Sequence, residues 1–212
     1  MRYHGAVASD AELLSAWRLG DARAGQQLFE RHYDAIARFF YNKAGDQAPD
    51  LIQRTFLVCV EAQLRMREGT SFRAFLFGIA RNVLFDHYRK RRRDGERIDF
   101  AVHTVEDLAP TPGSLLAREQ EIQLLLQALR RIPLEAQVTL ELYYWEGLSA
   151  RELSEILELP EGTTRTRLRR ARQLLDRQLR RLARSPRLLA STVSDLESWI
   201  QRIREHVGGK AG

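Results

Sequence analysis

Leu148-Ser149-Ala150-Arg151-Glu152-Leu153-Ser154-Glu155-Ile156-Leu157-Glu158-Leu159-Pro160-Glu161-Gly162-Thr163 is the stretch on which the fold of this 212-residue chain turns. Ser149 and Glu152 form a capping box, in which the serine hydroxyl takes a first-turn amide while the glutamate reaches back, so a helix starts there. Leu153, Ile156 and Leu157 give that helix one apolar face. Leu159-Pro160 closes it, because proline disfavours helical backbone in the residue before it and suits the first turn of a new helix. In the helix that follows, Leu168, Ala171 and Leu175 fall on one side and Arg165, Arg167, Arg169, Arg170 and Arg172 crowd the rest. Two helices joined by a tight turn, the second rich in arginine, make a helix-turn-helix that sets its second helix in the DNA major groove.

Charge supports this reading. Gly113 to Pro160 carries four arginines against eight glutamates, whereas Glu161 to Arg184 carries nine arginines against Glu161 and Asp176. The sign reverses at the turn, and the basic side answers phosphates. The alternative is an arginine-rich surface helix packed by its leucine face.

The rest of the chain fits a small helical protein with an anionic partner. Hydrophobic residues make up 44% of it, enough for one large or two small domains, and two fit better. The net charge of +6 and a pI near 9.9 point to an anionic partner, nucleic acid or a membrane surface. No apolar run is long enough to cross a bilayer and Met1 to Asp10 lacks a signal peptide's apolar core, so a cytoplasmic protein without membrane insertion is expected. The single cysteine, Cys59, excludes an intrachain disulfide and a cysteine-clustered zinc site.

Read in order, Ser9 to Glu12 is a second capping box, and its helix, through Leu13, Leu14 and Trp17, stops at Gly20. Asp21 caps a long helix carrying Leu28, Phe29, Tyr33, Ile36, Phe39 and Phe40, which ends at Gly45. Pro49 and Asp50 open a third, with Ile52, Phe56, Cys59 and Val60 on the apolar side, Asp50, Gln53, Arg54 and Glu61 on the polar side, and a break at Gly69. Ser71 caps a fourth, whose Phe72, Phe75, Leu76, Ile79 and Val83 form a broad stripe. It runs into Arg89, Lys90, Arg91, Arg92 and Arg93, a basic run placed to track a nucleic-acid strand together with Arg81 and Asn82. Gly95 to Pro112 shows neither helical nor strand period and reads as a linker. Helical patterns resume over Leu115 to Leu129 and from Pro133 through Val138, Leu140 and Tyr143, before the helix-turn-helix. A tail with a third capping box, Ser194 and Glu197, presents Leu196, Trp199, Ile200 and Ile203. It is too short to bury its own core and should lie on a domain or a partner.

The predicted fold is all-α: two small helical domains, 1–94 and 113–184, joined by a flexible linker, 95–112, with a helical extension at 185–212. No nucleophile and base pair, phosphate-cradling glycine loop or metal-ligand spacing is found, so no catalytic residue, cofactor or metal is expected.

Three stretches, in this order, resemble an RNA polymerase sigma factor of the sigma-70 family, of the short extracytoplasmic-function type. Asp50-Leu51-Ile52-Gln53-Arg54-Thr55-Phe56-Leu57 resembles the family's polymerase-docking helix. Phe72-Arg73-Ala74-Phe75-Leu76-Phe77-Gly78-Ile79-Ala80-Arg81-Asn82, continuing to Asp86-His87-Tyr88-Arg89, is similar to its promoter-melting helix. Leu148 to Leu175, with the Glu161-Gly162-Thr163 turn and Arg167-Leu168-Arg169-Arg170-Ala171, looks like its promoter-recognition helix. The resemblance implies that Asp50, Leu51, Gln53 and Phe56 dock core RNA polymerase. It further implies that Thr70, Ser71, Phe72, Arg81, Asn82, Arg89, Lys90 and Arg91 hold the unpaired minus-10 strand of promoter DNA. Thr163, Thr164, Arg165, Arg167 and Arg170 would read the minus-35 element, and an anti-sigma factor is an implied partner. A dimeric helix-turn-helix regulator acting without polymerase is the competing reading, and predicts self-association and a symmetric operator. A nucleic-acid enzyme is a further rival, but its acid/base or metal cluster is not found.

Overall fold

The computed structural model describes residues 8–67, 69–91, 98–108 and 120–182, and these are helical apart from turns and one isolated bridge between Thr104 and Pro133. Helix α1, Asp10–Arg18, begins at the expected capping box: Ser9 Oγ accepts from the Glu12 N–H and Glu12 bonds back to the Ser9 N–H. The chain turns through Gly20 at φ 102°, a conformation that glycine adopts without strain. The Asp21 carboxylate then accepts from the N–H groups of Arg23 and Ala24, starting α2, Ala22–Ala44. Helix α3, Ala48–Ala62, carries Pro49 in its first turn. It tightens into a 3-10 turn over Gln63–Arg65, so it stops earlier than Gly69, where the sequence pattern placed the break. Val60, expected on its apolar side, is exposed. Ser71 Oγ accepts from the Ala74 N–H at 3.2 Å and opens α4, Phe72–Arg91.

Helix α4 is buried more widely than one amphipathic stripe would require. Besides Phe72, Leu76, Ile79 and Val83, the side chains of Phe77, Ala80, Leu84, Phe85 and Tyr88 are out of solvent. A helix apolar most of the way round needs cover on more than one side. One side lies against α2 and α3, and the other is covered by a later part of the chain. Part of that cover comes from the expected linker. Phe100 stacks on Phe85 with ring centroids 4.3 Å apart, Val105 is fully buried, and a short helix α5, Val105–Leu108, follows. The Leu134 and Glu135 N–H groups donate to the carbonyls of His103 and Phe100 at 2.9 and 3.1 Å. Residues 98–108 therefore form a packed strap, because two apolar side chains that local periodicity does not register join the first core, Phe100 directly on α4.

The second unit comprises α6, Gln120–Arg130, then α7, Leu134–Leu140, and the helix-turn-helix of α8, Ala150–Leu157, and α9, Glu161–Leu182. The described part of α6 begins at Gln120, and the C-terminal extension at 185–212 lies outside the described residues. Ser149 and Glu152 form the predicted box on α8. Glu158, at φ 54°, takes the left-handed position that ends the helix. Leu125, Leu129, Leu140, Ala171, Leu175 and Leu179 build the core between α6, α7 and α9. Between α7 and α8 the helix widens into a π turn over Glu141–Trp145, which the sequence pattern did not indicate.

Gly25 shows how closely the first unit is packed. A Cβ there would lie 2.7 to 2.8 Å from three atoms of the Trp17 indole. Helix propensity alone favours alanine over glycine by about 1 kcal/mol, but overpacking against a rigid ring costs about 1 to 3 kcal/mol. Gly25→Ala is expected to lower the thermal midpoint; a raised midpoint would show that the indole moves aside without cost.

Candidate nucleic-acid interface

Three surfaces carry the residues singled out from the sequence. On α3, Asp50 and Gln53 are exposed on the polar side. Phe56 is half-buried, 4.7 Å from Phe29 and stacked 6.2 Å from Tyr33 by ring centroids. These aromatics, with Trp17, Leu57 and Val60, line an apolar groove of about 690 Å³ between α2 and α3. Leu57 is 57% exposed, so its apolar surface is open to a partner. Leu51 differs from its expected role: it faces the core and is buried, so it supports the helix from beneath. Cys59 is buried below the same helix, and burial pushes its thiol up to about 12.

The second surface is the start and exposed flank of α4. Phe72 is buried, with its ring 6.4 Å from Trp17 and 5.5 Å from His32, and is core instead of a stacking platform for a base. Thr70 and Ser71 sit at the helix entrance. Arg81 lies halfway along α4, with its guanidinium 4.4 Å over the Phe85 ring and its side chain only 15% exposed. Burial pushes the Arg81 guanidinium below its ordinary value while the nearby Glu135 carboxylate opposes the shift, and arginine stays charged throughout. Asn82 is exposed beside it. Arg89 bonds Asp86 at 2.9 Å and lies 5.4 Å from the centroid of the Phe100 ring. Lys90 is exposed, and Arg91 ends the helix.

The third surface is the beginning of α9. Thr163, Arg165, Thr166, Arg169 and Arg170 are exposed there. Arg165 donates to Glu161 one turn earlier at 2.6 Å, an exposed pair of the kind worth less than about 1 kcal/mol and easily exchanged for a phosphate or base edge. Thr164 does not share this face. It is fully buried with its hydroxyl donating to the Pro160 carbonyl at 3.3 Å, so it fixes the turn and offers no edge to DNA. Arg167 turns toward α7 and donates to Glu135 at 2.8 Å.

The first helices and the helix-turn-helix unit meet at carboxylates, of which the sequence reading singled out only Glu152, and that one as a cap. Glu135 faces both Arg81, at 3.7 Å, and Arg167, at 2.8 Å. Ser71 donates to Glu152 at 2.6 Å and Thr70 to Glu155 at 3.3 Å. Glu146 is buried between Arg73, at 2.9 Å, and Arg38, at 3.8 Å. Lys43, entirely buried in α2, is paired with Glu141. The eight glutamates before the recognition helix carried the signal, but only as a net charge; the arginine and lysine partners of Glu135, Glu141 and Glu146 are far away in sequence.

Among the described residues no group of three or more His, Cys, Asp or Glu side chains is arranged to hold a metal, and no helix is long and apolar enough to cross a membrane. The arrangement is suited to binding and positioning, with two basic surfaces on separate helices and an apolar groove on a third.

Comparison with known proteins agrees in both halves. Residues 28–94 match Sigma-70 region 2 and residues 122–175 match Sigma-70, region 4. The ECF RNA polymerase sigma-E factor of Haemophilus influenzae is 24% identical over 185 residues, spanning 82% of this chain and 97% of its own. The RNA polymerase sigma-H factor of Pseudomonas aeruginosa is 26% identical over 188 residues, spanning 82% and 96%. Among solved structures, the sigma factor RpoE of Bartonella quintana, co-crystallised with the anti-sigma factor NepR, is similar with a TM-score of 0.57. Its identity is 25%, over 73% of this chain and 96% of that one. With both diagnostic regions present in order and the fold shared, the chain belongs to the sigma-70 family of RNA polymerase sigma factors, in its extracytoplasmic-function branch.

Proposed function

We propose that this sigma factor docks core RNA polymerase through the exposed side of α3, holds the opened minus-10 strand along α4, and reads the minus-35 element with the start of α9. Residues 1–94 and 113–184 are the two working domains in this reading, joined by 95–112. The role requires no catalytic group in the chain. Duplex opening costs stacking and pairing energy, which a protein offsets by capturing an unpaired base while cations hold the backbone. Asn82, Arg89, Lys90 and Arg91 suit that task on α4, with Arg81, Thr70 and Ser71 beside them. The observation that carries the proposal is the outward row of Thr163, Arg165, Arg169 and Arg170 at the start of a helix whose entrance is fixed by the Glu158 turn and the buried Thr164. An anti-sigma factor, of the kind seated on the Bartonella relative, is the proposed regulator, and the cytoplasm the proposed site of action.

The direct test is transcription in vitro with core polymerase and a promoter library. Promoter-dependent transcripts support the proposal, and binding to a symmetric operator as a dimer without polymerase would replace it by the regulator reading.

Docking and reading separate by residue. Replacing Asp50 and Gln53 by alanine is expected to weaken binding to core polymerase while leaving the thermal midpoint within about one degree, since both side chains project from the fold. Unchanged affinity would remove this side of α3 from the interface.

Along α9, Arg165 and Arg180 are 15 positions apart, about 22 Å at 1.5 Å per residue, too far to share one groove footprint. Arg165→Ala is expected to cost about 1 to 3 kcal/mol and to relax preference at one upstream position, if its fork meets a guanine edge. A phosphate contact would instead weaken all sequences evenly and flatten the salt dependence. Arg180, paired with Asp176 at 3.0 Å, is expected to do neither strongly. Library transcription at two salt concentrations measures both, and a larger change of upstream preference from Arg180→Ala would place the reading end elsewhere.

A further inference from the structure

Large apolar side chains stay in water along the groove between α2 and α3. Tyr33, Leu57 and Val60 line it and are exposed, and Leu64, one turn beyond Val60, is 72% exposed. The half-buried Trp17, Phe29 and Phe56 complete an aromatic lining. Leu57, Val60 and Leu64 recur at three and four, so they share one side of the chain from α3 into its closing turn. A groove of this shape takes the apolar face of an amphipathic helix, whose anchors fall at i, i+3, i+4 and i+7.

The chain itself carries a segment of that pattern. Leu196, Trp199, Ile200 and Ile203 stand at i, i+3, i+4 and i+7 behind the Ser194 and Glu197 capping box, and Val207 repeats the spacing one turn on. These residues follow α9 and lie outside the described ones. From Leu182, the last residue of α9, to Ser194 is 12 positions. Extended, that length reaches about 40 Å, more than the roughly 30 Å across a small domain. Charge agrees with the fit. Glu30 is the charged side chain of the lining, with exposed Asp34 one turn further along α2, and Arg202 and Arg204 flank Ile203. Tethering adds the rest: a short linker gives an effective concentration of about 1 mM, so an intrinsic Kd of only about 0.1 mM fills the groove in about nine chains of ten.

We propose that residues 194–207 seat as a helix in the groove between α2 and α3 of the same chain, with Leu196, Trp199, Ile200 and Ile203 turned onto its aromatic lining. Both apolar faces leave water in one step. Gln53 and Phe56 belong to the groove and also to the surface proposed for polymerase, so core polymerase and the extension exclude one another there. That consequence rests on the proposed function. With one chain in ten open, the apparent affinity for polymerase is about tenfold below the intrinsic one.

Nitroxides at Gln26→Cys, on the exposed rim of the groove, and at Glu205→Cys, on the polar side of the extension's pattern, report the seat; Cys59 is buried and does not compete for label. The full chain is expected to give one short, narrow distance, unchanged when labelled protein is diluted into excess unlabelled chain. Trp199→Ala with Ile203→Ala is expected to lengthen and broaden it. Leu57→Lys with Val60→Lys, which charges the groove at exposed positions outside both cores, is expected to do the same. The two variants alter opposite sides of the contact, so misfolding of one leaves the other decisive. The extension variant is also expected to bind core polymerase about tenfold more tightly than the wild-type chain. A broad wild-type distance overturns the proposal, as does a distance that the folded variants leave unchanged. A distance that vanishes on dilution assigns the groove to a second copy and overturns it too. Unchanged polymerase affinity in the extension variant, where Asp50→Ala with Gln53→Ala weakens binding, is equally contrary. Were neither pair to change polymerase affinity, the proposed docking side of α3 would fail instead, and the nitroxide distances alone would decide where the extension sits.

Discussion

A lysine ammonium removed from water needs a carboxylate, and the one that answers Lys43 comes from a residue 98 positions later. Burial pushes Lys43 down from its ordinary value and Glu141 opposes that shift, so the charge on α2 is sustained by a group on the other half of the chain. The Tyr88 hydroxyl also donates to the Lys43 carbonyl, tying the end of α4 to the end of α2 at the same place. Once Glu141 is held there, the following turn places Glu146 between Arg38 and Arg73, and α8 comes to rest along α4. The positions of α7, α8 and α9 relative to the first helices follow from this anchoring and from the apolar residues Leu134, Val138, Leu142, Leu148, Leu153 and Ile156, which join the first core.

The consequence is a protein whose two hydrophobic cores do not coincide with its two halves. Leu153 and Ile156 of the helix-turn-helix belong to the cluster built on α2, α3 and α4, whereas Leu140, Ala171 and Leu175 belong to the other. Helix α8 therefore bridges between them, one side on α9 and one on α4. Its surface against α4 is partly polar, through the Ser71 to Glu152 and Thr70 to Glu155 bonds. The surfaces proposed for polymerase and for the minus-35 element stay open in this arrangement, whereas several donors proposed for the minus-10 strand are occupied.

Local signals in the sequence carried most of the architecture. Both capping boxes that fall in described residues, at Ser9 and Ser149, form as expected because their chemistry is confined to one helical turn. The Asp21 cap, the glycine at position 20 and the arginine-rich face of α9 follow for the same reason. What was not legible depends on partners distant in the chain. Phe100 and Val105 looked like linker because two apolar residues set no period, yet the first core takes them in. Leu51, Phe72 and Thr164 matched a family pattern by position, while their side chains point inward, which spacing alone does not resolve. Lys43 lies among polar residues at a helix end and would ordinarily be solvated; only Glu141 and the packing around it put the ammonium inside. Glu135 stood in an acidic stretch as one charge among eight, with nothing local to show that two arginines from different domains would converge on it.

The central claim is the proposal that the start of α9 reads the upstream promoter element while α4 holds the opened strand. It is tested most directly by transcription in vitro with core polymerase from a promoter library, comparing the wild-type chain with Arg165→Ala. The account predicts promoter-dependent transcript from the wild-type chain and a changed upstream preference or salt dependence in the variant. Promoter-dependent transcript from Arg165→Ala with yield, upstream preference and salt dependence all unchanged would contradict it.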